Sequence, residues 1–148
     1  MTRNADPTLP ERIEAWIRVE GGDQALLLIT IDEASRPHVA MLARDEVRVI
    51  SGTRLRVAIG ERTQSAANLR VRNTATLAIY DAGLACVIKA RALEEPGPLL
   101  PGTASCDLAV EDIRFDVPTA AEGVARLVTG LRFEGRQERS DIREALGR

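Results

Sequence analysis

The sequence predicts a mainly β protein with flanking helices, in which an antiparallel sheet closes fully or partly into a barrel. Short aliphatic runs of strand length follow one another between turn signals from about residue 25 to residue 117. A helical spacing of apolar residues interrupts this series in the stretch 62–72. Many strands with few helices favour a barrel, because closure of a sheet removes its exposed edges.

The length of 148 residues predicts one domain over the whole chain, 1–148. Hydrophobic residues make up 45% of the sequence, which is enough for an apolar core and argues against a disordered chain. The tail from about residue 134 is charged. It is either solvated and partly disordered, or it ends in a short helix that Ser140 caps and that reaches Leu146.

The charge balance argues against polyanionic partners. A formal net charge of -2 and a pI near 5.5 give no general attraction for nucleic acid or an anionic membrane surface. No stretch approaches the ~20 apolar residues of a membrane span, and the first residues do not resemble a secretory leader. We therefore expect a cytoplasmic protein without nucleic-acid or membrane partners, in which any phosphate site is local.

Cysteine and histidine are too few for the common metal and hydrolase sites. Cys86 and Cys106 are isolated and lack the spacing of a zinc or redox motif, so we expect buried thiols. His38 is the only histidine, which excludes multi-histidine metal sites and leaves little room for a Ser-His-Asp triad. We expect no metal site.

The predicted elements begin with an amphipathic helix. Thr8 and Glu11 have the spacing of a capping box, and Leu9, Ile13, Trp16 and Ile17 share one face. Trp16 is expected in the core or in a dimer contact. Strands are predicted at 25–31, 37–43, 45–51, 55–59, 74–80, 84–93 and 106–117, the last with a bulge near Asp112.

Two further segments carry turn signals. Pro98, Pro101 and Gly102 predict an irregular connection before the last of these strands. Thr119 and Glu122 repeat the capping-box spacing, but Gly123 follows at once, so a single helical turn is expected before the segment 124–133.

The most informative stretch joins a strand to the helix predicted after residue 62. The first N–H groups of a helix lack intrahelical acceptors, and the helix dipole is positive there, so a helix start is suited to bind phosphate. Arg62, Thr63, Gln64 and Ser65 can supply the contacts. The alternative is that Thr63 only caps the helix and Arg62 is a solvated surface charge.

Other polar residues allow a binding or a structural interpretation. Asn68 lies on the apolar face of the same helix, where it either binds a ligand or contacts a neighbouring loop. Lys89 and Arg91 alternate with apolar residues, so they share one face of a strand. That face either lines an anionic cleft or faces solvent, and His38 likewise either faces a ligand or is structural.

Three segments resemble the flavin split-barrel superfamily of pyridoxamine 5'-phosphate oxidase. They read LLLITIDEASRPHVAML, LRVAIGERTQSAANLRVRNTATLAIYD and VIKARALE, and the resemblance covers roughly residues 22 to 117. TQSAANLR with NTATLAI, and the later TGLRF, are similar to a branch of small oxidase-related members. The resemblance implies a six-stranded antiparallel split β-barrel that forms a homodimer and binds two FMN molecules at the subunit interface.

Only some of the family's cofactor-binding residues have an equivalent in this sequence. Thr63 stands where the family commonly has a hydroxyl, whereas Gln64 and Ser65 stand where it commonly has phosphate-binding Arg and Lys. Arg62 could restore one charge, and Arg132 occupies a late position from which the family contacts its cofactor. His38 lies near a basic strand of the true oxidases, but PHVAML lacks that strand's Arg and Lys pattern, so vitamin B6 synthesis is not implied.

The resemblance gives three functional hypotheses. The first is an FMN-dependent oxidoreductase acting on an unknown small molecule, with FMN bound by Arg62, Thr63, Gln64, Ser65, Asn68, Lys89 and Arg132. The second is a split-barrel dimer that has lost flavin and serves as a ligand-binding or structural protein. The third is binding of deazaflavin or heme, which occurs among split-barrel relatives.

Overall fold

A computed structural model describes residues 7–116 and 127–147 of the chain. It contains three α-helices, one short 3₁₀ turn and eight strands within these ranges. The helices are α1 (Glu11–Arg18), α2 (Gln64–Val71) and α3 (Ser140–Leu146), and the 3₁₀ turn is Arg44–Glu46. The strands are β1 (Ala25–Ile31), β2 (Pro37–Ala43), β3 (Val47–Ser51), β4 (Arg54–Gly60), β5 (Thr74–Asp81), β6 (Leu84–Ala92), β7 (Gly97–Leu100) and β8 (Thr103–Phe115).

All eight strands belong to one antiparallel sheet. Seven of them follow the order β2-β1-β5-β6-β8-β4-β3, and β7 pairs with β8 beside this path. The first and last strands of the path, β2 and β3, are consecutive in the chain and are joined by the three residues of the 3₁₀ turn. Three residues span at most ~11 Å, so the sheet must curl until its two ends meet at this turn. The result is a strongly curled half-barrel.

The curl gives the sheet an inner and an outer face. Side chains that point inward form the apolar core, and alternate positions point outward. Strand β6 illustrates the pattern, since Cys86, Ile88 and Ala90 are buried while Lys89 and Arg91 are exposed. The largest fully buried side chains include Leu26, Leu28, Leu55, Leu77, Ile79, Ile88 and Leu108.

The mainly β fold with flanking helices is confirmed, but the number of strands differs from six. Residues 97–102 form the strand β7 and a tight turn to β8, where an irregular connection was expected. Gly102 has a φ of +79°, which a turn of this kind requires. Pro98 is tolerated because β7 lies beside the main path and pairs with β8 alone.

The bulge predicted near Asp112 is present. Lys89 of β6 pairs with Asp112, whereas the next residue, Ala90, pairs with Val110. Glu111 is therefore the extra residue on β8, one position from the prediction.

The first helix differs from its prediction at its start. Helix α1 begins at Glu11, and Pro10 occupies the N-cap without a side-chain hydrogen bond, so the predicted capping box with Thr8 does not form. Ile13 and Ile17 are buried as expected. Trp16 is partly buried and donates a hydrogen bond from Nε1 to Asp81 Oδ2 at 2.8 Å. This bond fixes α1 on the end of β5.

Asp81 and Arg44 form a polar cluster around Trp16. Burial alone would raise the pKa of Asp81, but the hydrogen bonds from Trp16 and from the backbone of Ala82, with the charges of Arg132 and Arg44, place it below its ordinary value. The guanidinium of Arg44 stacks over the Trp16 ring at 5.1 Å. The cluster therefore gives the buried charges of Asp81 and Arg44 polar and aromatic partners, next to the turn that joins β2 to β3.

The described part of the C-terminal segment ends in a helix. Ser140 is the first residue of α3, whose N-cap is Arg139 without a side-chain hydrogen bond, so Ser140 does not act as the predicted cap. Ile142 and Leu146 are buried against Ala58 of β4 and against Leu99 and Leu100 of β7. Before this helix, Arg136 forms a bidentate ion pair with Asp45 at 2.9 and 3.3 Å.

Two further expectations from the sequence concern the turn after β8 and membrane spans. The turn expected at Thr119 to Glu122 lies outside the described residues. None of the helices within the described ranges has the length and apolar content of a membrane span.

The two cysteines are buried and unpaired, as expected. Burial raises the pKa of Cys86 and of Cys106 to about 11, so both thiols are protonated near neutral pH. Because the thiolate is the nucleophile, we expect no reaction of the native protein with a thiol reagent at pH 8, and two reactive thiols after denaturation. Rapid modification of one thiol in the native protein would contradict this burial.

Candidate functional site

The connection between β4 and α2 has the geometry of a capped helix start. Thr63 is the N-cap, and its Oγ1 accepts a hydrogen bond from the backbone N–H of Ala66 at 3.3 Å. The same hydroxyl donates to the carbonyl of Gly60 at 2.7 Å. A Cβ at Gly60 would lie 2.7 Å from Thr63 Cγ2, so the tight turn requires glycine. Thr63 therefore caps the helix.

The first turn of α2 can bind an anion through its backbone. The first N–H groups of the helix have no intrahelical acceptor. Arg62, Thr63 and Gln64 are exposed around this turn, while Ser65 is buried. The structure thus brings together four of the predicted residues on one connection.

A line of hydrogen bonds continues from this turn to the sheet. Gln64 Nε2 donates to Asn68 Oδ1 at 2.7 Å, and Asn68 Nδ2 donates to Thr30 Oγ1 of β1 at 2.9 Å. Asn68 and Thr30 are both buried. Asn68 is therefore placed to hold α2 on the sheet, and contacts β1 rather than a neighbouring loop.

His38 lies beside this line. It is the direct partner of Thr30 in the β1–β2 ladder, so both side chains share the inner face. The imidazole is half-buried, whereas the Thr30 hydroxyl is fully buried. Thr30, His38 and Asn68 thus form a small polar area next to the helix start.

Ser65 leaves a hydrogen-bonding group unsatisfied. Its side chain is 1% exposed, and within the described residues its Oγ has no hydrogen-bond partner. A buried hydroxyl without a partner costs roughly 1–3 kcal/mol unless water or a ligand satisfies it. The first turn of α2 therefore contains an open polar contact.

Arg70 is a cationic residue at this site that the sequence interpretation missed. Its Nη2 donates to the carbonyl of Glu61 at 3.0 Å, although the two residues are nine positions apart. The side chain extends toward the N-terminal end of α2, as long helical side chains do. The signal was present in the sequence, because Arg70 follows Thr63 by seven residues, or two helical turns, and shares its face.

Lys89 lies on the other side of the sheet. Across the sheet, Lys89 pairs with Thr76, and Thr76 pairs with Ile29, so these three side chains are on one face. Ile29 and its neighbour Thr30 point to opposite faces, because successive side chains of a strand alternate. Lys89 is therefore on the outer face, and the outer-face neighbour on β8 is Asp112. Within one chain the structure does not bring Lys89 to the start of α2.

Arg132 lies at the opposite end of β1. It forms an isolated bridge with Gln24, just before β1, whereas Asn68 contacts Thr30 near the end of that strand. Six residues of extended strand separate these points by ~20 Å. Arg132 instead lies near Asp81 and Arg44, whose pKa values its charge lowers among other causes.

A groove of about 600 Å³ lies at the C-terminal end of α2. It is lined by Ile31 and by residues 69–74 and 92–95. Arg72, at this end, donates to the carbonyl of Glu33 at 3.5 Å. Arg70, whose guanidinium reaches toward the helix start, also borders this groove.

The Asn68 contact predicts a stability effect. Asn68→Ala should lower the free energy of unfolding by about 1–3 kcal/mol, because the buried Thr30 hydroxyl loses its donor. Urea unfolding measures the change. Ala67→Ser, at an exposed position of the same helix, should change it by less than about 0.5 kcal/mol. Equal effects of the two substitutions would show that the bond does not stabilise α2.

Comparison with known proteins identifies the fold. No family model and no curated protein matches the chain. Among solved structures, a pyridoxamine 5'-phosphate oxidase candidate from Lactobacillus delbrueckii is similar with a TM-score of 0.61 and 16% identity. The match covers 77% of this chain and 99% of that one.

Two further structures have other described roles. An F420 reductase matches with a TM-score of 0.56 and 13% identity over 72% of this chain and 98% of its own. HutZ, the heme storage protein of Vibrio cholerae, matches with a TM-score of 0.53 and 17% identity over 73% and 94%. The chain therefore has the split β-barrel fold that these members of the pyridoxamine 5'-phosphate oxidase-like superfamily share.

Proposed function

We propose that the protein is a homodimeric FMN-binding flavoprotein that acts as an oxidoreductase on a small molecule. The observation that carries this proposal is the β4–α2 connection, which presents the free N–H groups of a helix start beside Arg62 within a split-barrel fold. Pyridoxamine 5'-phosphate oxidase candidates and an F420 reductase have the same fold. We place this activity in the cytoplasm, without nucleic-acid or membrane partners.

The residues present fit a phosphate with fewer charges than the family commonly has. The free N–H groups of the first turn and the unsatisfied Ser65 hydroxyl can donate to phosphate oxygens. Arg62 would add a charged contact from the exposed side. Gln64 is neutral, and its amide already donates to Asn68. The phosphate would therefore be held mainly by backbone N–H groups, the Ser65 hydroxyl and the one guanidinium before the helix.

When bound, FMN supplies two-electron chemistry through its isoalloxazine ring. The chain's own residues then bind and orient the cofactor and leave space for the substrate. Asn68 and Thr30 would fix the helix start, while His38 and Thr30 would present polar groups on the inner face. Such a role requires no catalytic acid or base from the protein.

The outer face of the sheet supports dimerisation. Val39 and Met41 of β2 are 53% and 54% exposed. They pair with Ile29 and Leu27 of β1, so all four side chains share the outer face. A continuous apolar surface of this kind is typical of an interface between subunits. In such a dimer, Lys89 and Arg132 would contact FMN only across the interface, because one chain does not bring them to α2.

The first test is FMN binding by the purified protein. We expect flavin absorption bands or a calorimetric response to added FMN. Arg62→Ala should weaken FMN by about tenfold, through loss of one charged hydrogen bond, and riboflavin much less. Arg18→Ala, which removes an exposed arginine from α1, is the matched control and should affect neither ligand. Colourless protein with no response to excess FMN would overturn the proposal.

A split-barrel dimer without flavin is the second candidate function. The observation that favours it is the neutral pair Gln64 and Ser65 at positions where the family commonly has basic residues. The fold also occurs in a heme storage protein and an F420 reductase. An absorption spectrum of the freshly purified protein distinguishes flavin, deazaflavin and heme, since their bands differ, and a featureless spectrum favours the ligand-binding or structural role.

Light scattering tests whether the protein forms the proposed dimer. Wild-type protein should have twice the chain mass of 16.1 kDa by light scattering at micromolar concentration. Met41→Asp should shift the mass toward the monomer, because a charge would be buried in an apolar interface. Val71→Asp is the matched control, since Val71 is 75% exposed on α2. A monomeric wild type, or equal behaviour of the two variants, would contradict dimerisation through this face.

A further inference from the structure

We infer that Arg70 is a phosphate-binding residue, which together with Arg62 supplies the positive charge that Gln64 and Ser65 lack. This inference rests on the proposed flavin-binding function and assigns its specificity for a phosphorylated ligand. It concerns a residue of the second and last turn of α2, outside the segment 62–65 that the sequence interpretation selected.

The position of the Arg70 guanidinium is fixed by a hydrogen bond. Nη2 donates to the carbonyl of Glu61 at 3.0 Å, in the loop just before the helix. A guanidinium has five N–H donors, so this bond uses one and leaves others for an anion. Arg70 is exposed, and so is Arg62, the residue that directly follows Glu61 in the chain. Two guanidinium groups therefore lie beside the loop that enters α2.

The side chains at the helix start supply no positive charge of their own. Gln64 donates to Asn68, and the Thr63 hydroxyl donates to Gly60, so both are engaged within the protein. The phosphate of FMN carries nearly two negative charges at neutral pH. Backbone N–H groups bind the phosphate without neutralising its charge, whereas two guanidinium groups would neutralise it and so increase the preference for FMN over riboflavin.

Ser65 provides an independent indication of a ligand at this turn. Its hydroxyl is in the first turn of α2, is 1% exposed and has no partner within the described residues. A phosphate oxygen or an ordered water at the turn would satisfy it. The open hydroxyl thus lies in the same first turn that Arg62 precedes and that the Arg70 guanidinium approaches.

Glu61 opposes this attraction. Its exposed carboxylate belongs to the same loop and carries the opposite charge. Glu61→Gln should therefore strengthen FMN binding about two- to fivefold at low salt, and the effect should fade in 1 M salt. A purely structural role of the Glu61–Arg70 contact would not produce this gain, because the contact uses the backbone carbonyl of Glu61.

The decisive experiment compares Arg70→Gln with Arg72→Gln in the full chain. Both substitutions remove one positive charge and one hydrogen bond to a backbone carbonyl, but Arg72 contacts Glu33 at the other end of α2. Arg70→Gln should weaken FMN by about tenfold relative to Arg72→Gln, with little change for riboflavin. Calorimetry with FMN, riboflavin and pyrophosphate measures the three affinities.

The outcomes separate this inference from the proposed function. If wild-type protein binds FMN and the two variants weaken it equally, Arg70 is not a phosphate ligand and the flavin proposal stands. If pyrophosphate binds and Arg70→Gln alone weakens it, while FMN does not bind, the phosphate site is supported and the flavin proposal fails. If neither FMN nor pyrophosphate binds the wild type, both fail.

Discussion

The short connection between β2 and β3 constrains the whole fold. These strands lie at opposite ends of the sheet path, yet only Arg44, Asp45 and Glu46 separate them in the chain. The sheet must curl to bring its ends together, and curling creates the inner face on which the core forms. The closing turn is held by partly buried charge: Asp45 pairs with Arg136, and Arg44 stacks on Trp16.

The curl also determines where the helix of the candidate site lies. Helix α2 connects β4, near one end of the sheet, to β5, near its middle, and it contacts β1, β2 and β4. Its inner surface combines the apolar Ala66 and Leu69 with the buried bond from Asn68 to Thr30. A polar bond in an otherwise apolar contact sets the position of the helix more strictly than packing alone, because no other placement satisfies both groups.

The positive charges around α2 lie outside its first turn, where the N–H groups suited to bind phosphate are. The residues of the first turn are neutral, and the cations lie before it, at Arg62, and after it, at Arg70. Exposed guanidinium groups are screened by salt, so such a site depends on ionic strength more than a buried one does. The two faces of the sheet also divide the chemistry: polar groups line the inner face near α2, and apolar side chains cover much of the outer face of β1 and β2.

The sequence by itself determined seven of the eight strands in the described residues, the bulge of β8 and the helix start at Thr63, because alternation, helical spacing and capping are local properties. Local patterns misplaced the cap of α1 and missed β7, since the pairing of β7 with β8 outweighs the turn signals of its prolines. Of the seven proposed cofactor residues, Arg62, Thr63, Gln64, Ser65 and Asn68 are brought together by one loop and one helix. Lys89 and Arg132 could be placed relative to the site only by the tertiary structure, because strand pairing and the curl of the sheet decide which distant residues meet. Helical spacing puts Arg70 on the face of Thr63, but only the structure shows its side chain reaching the carbonyl of Glu61.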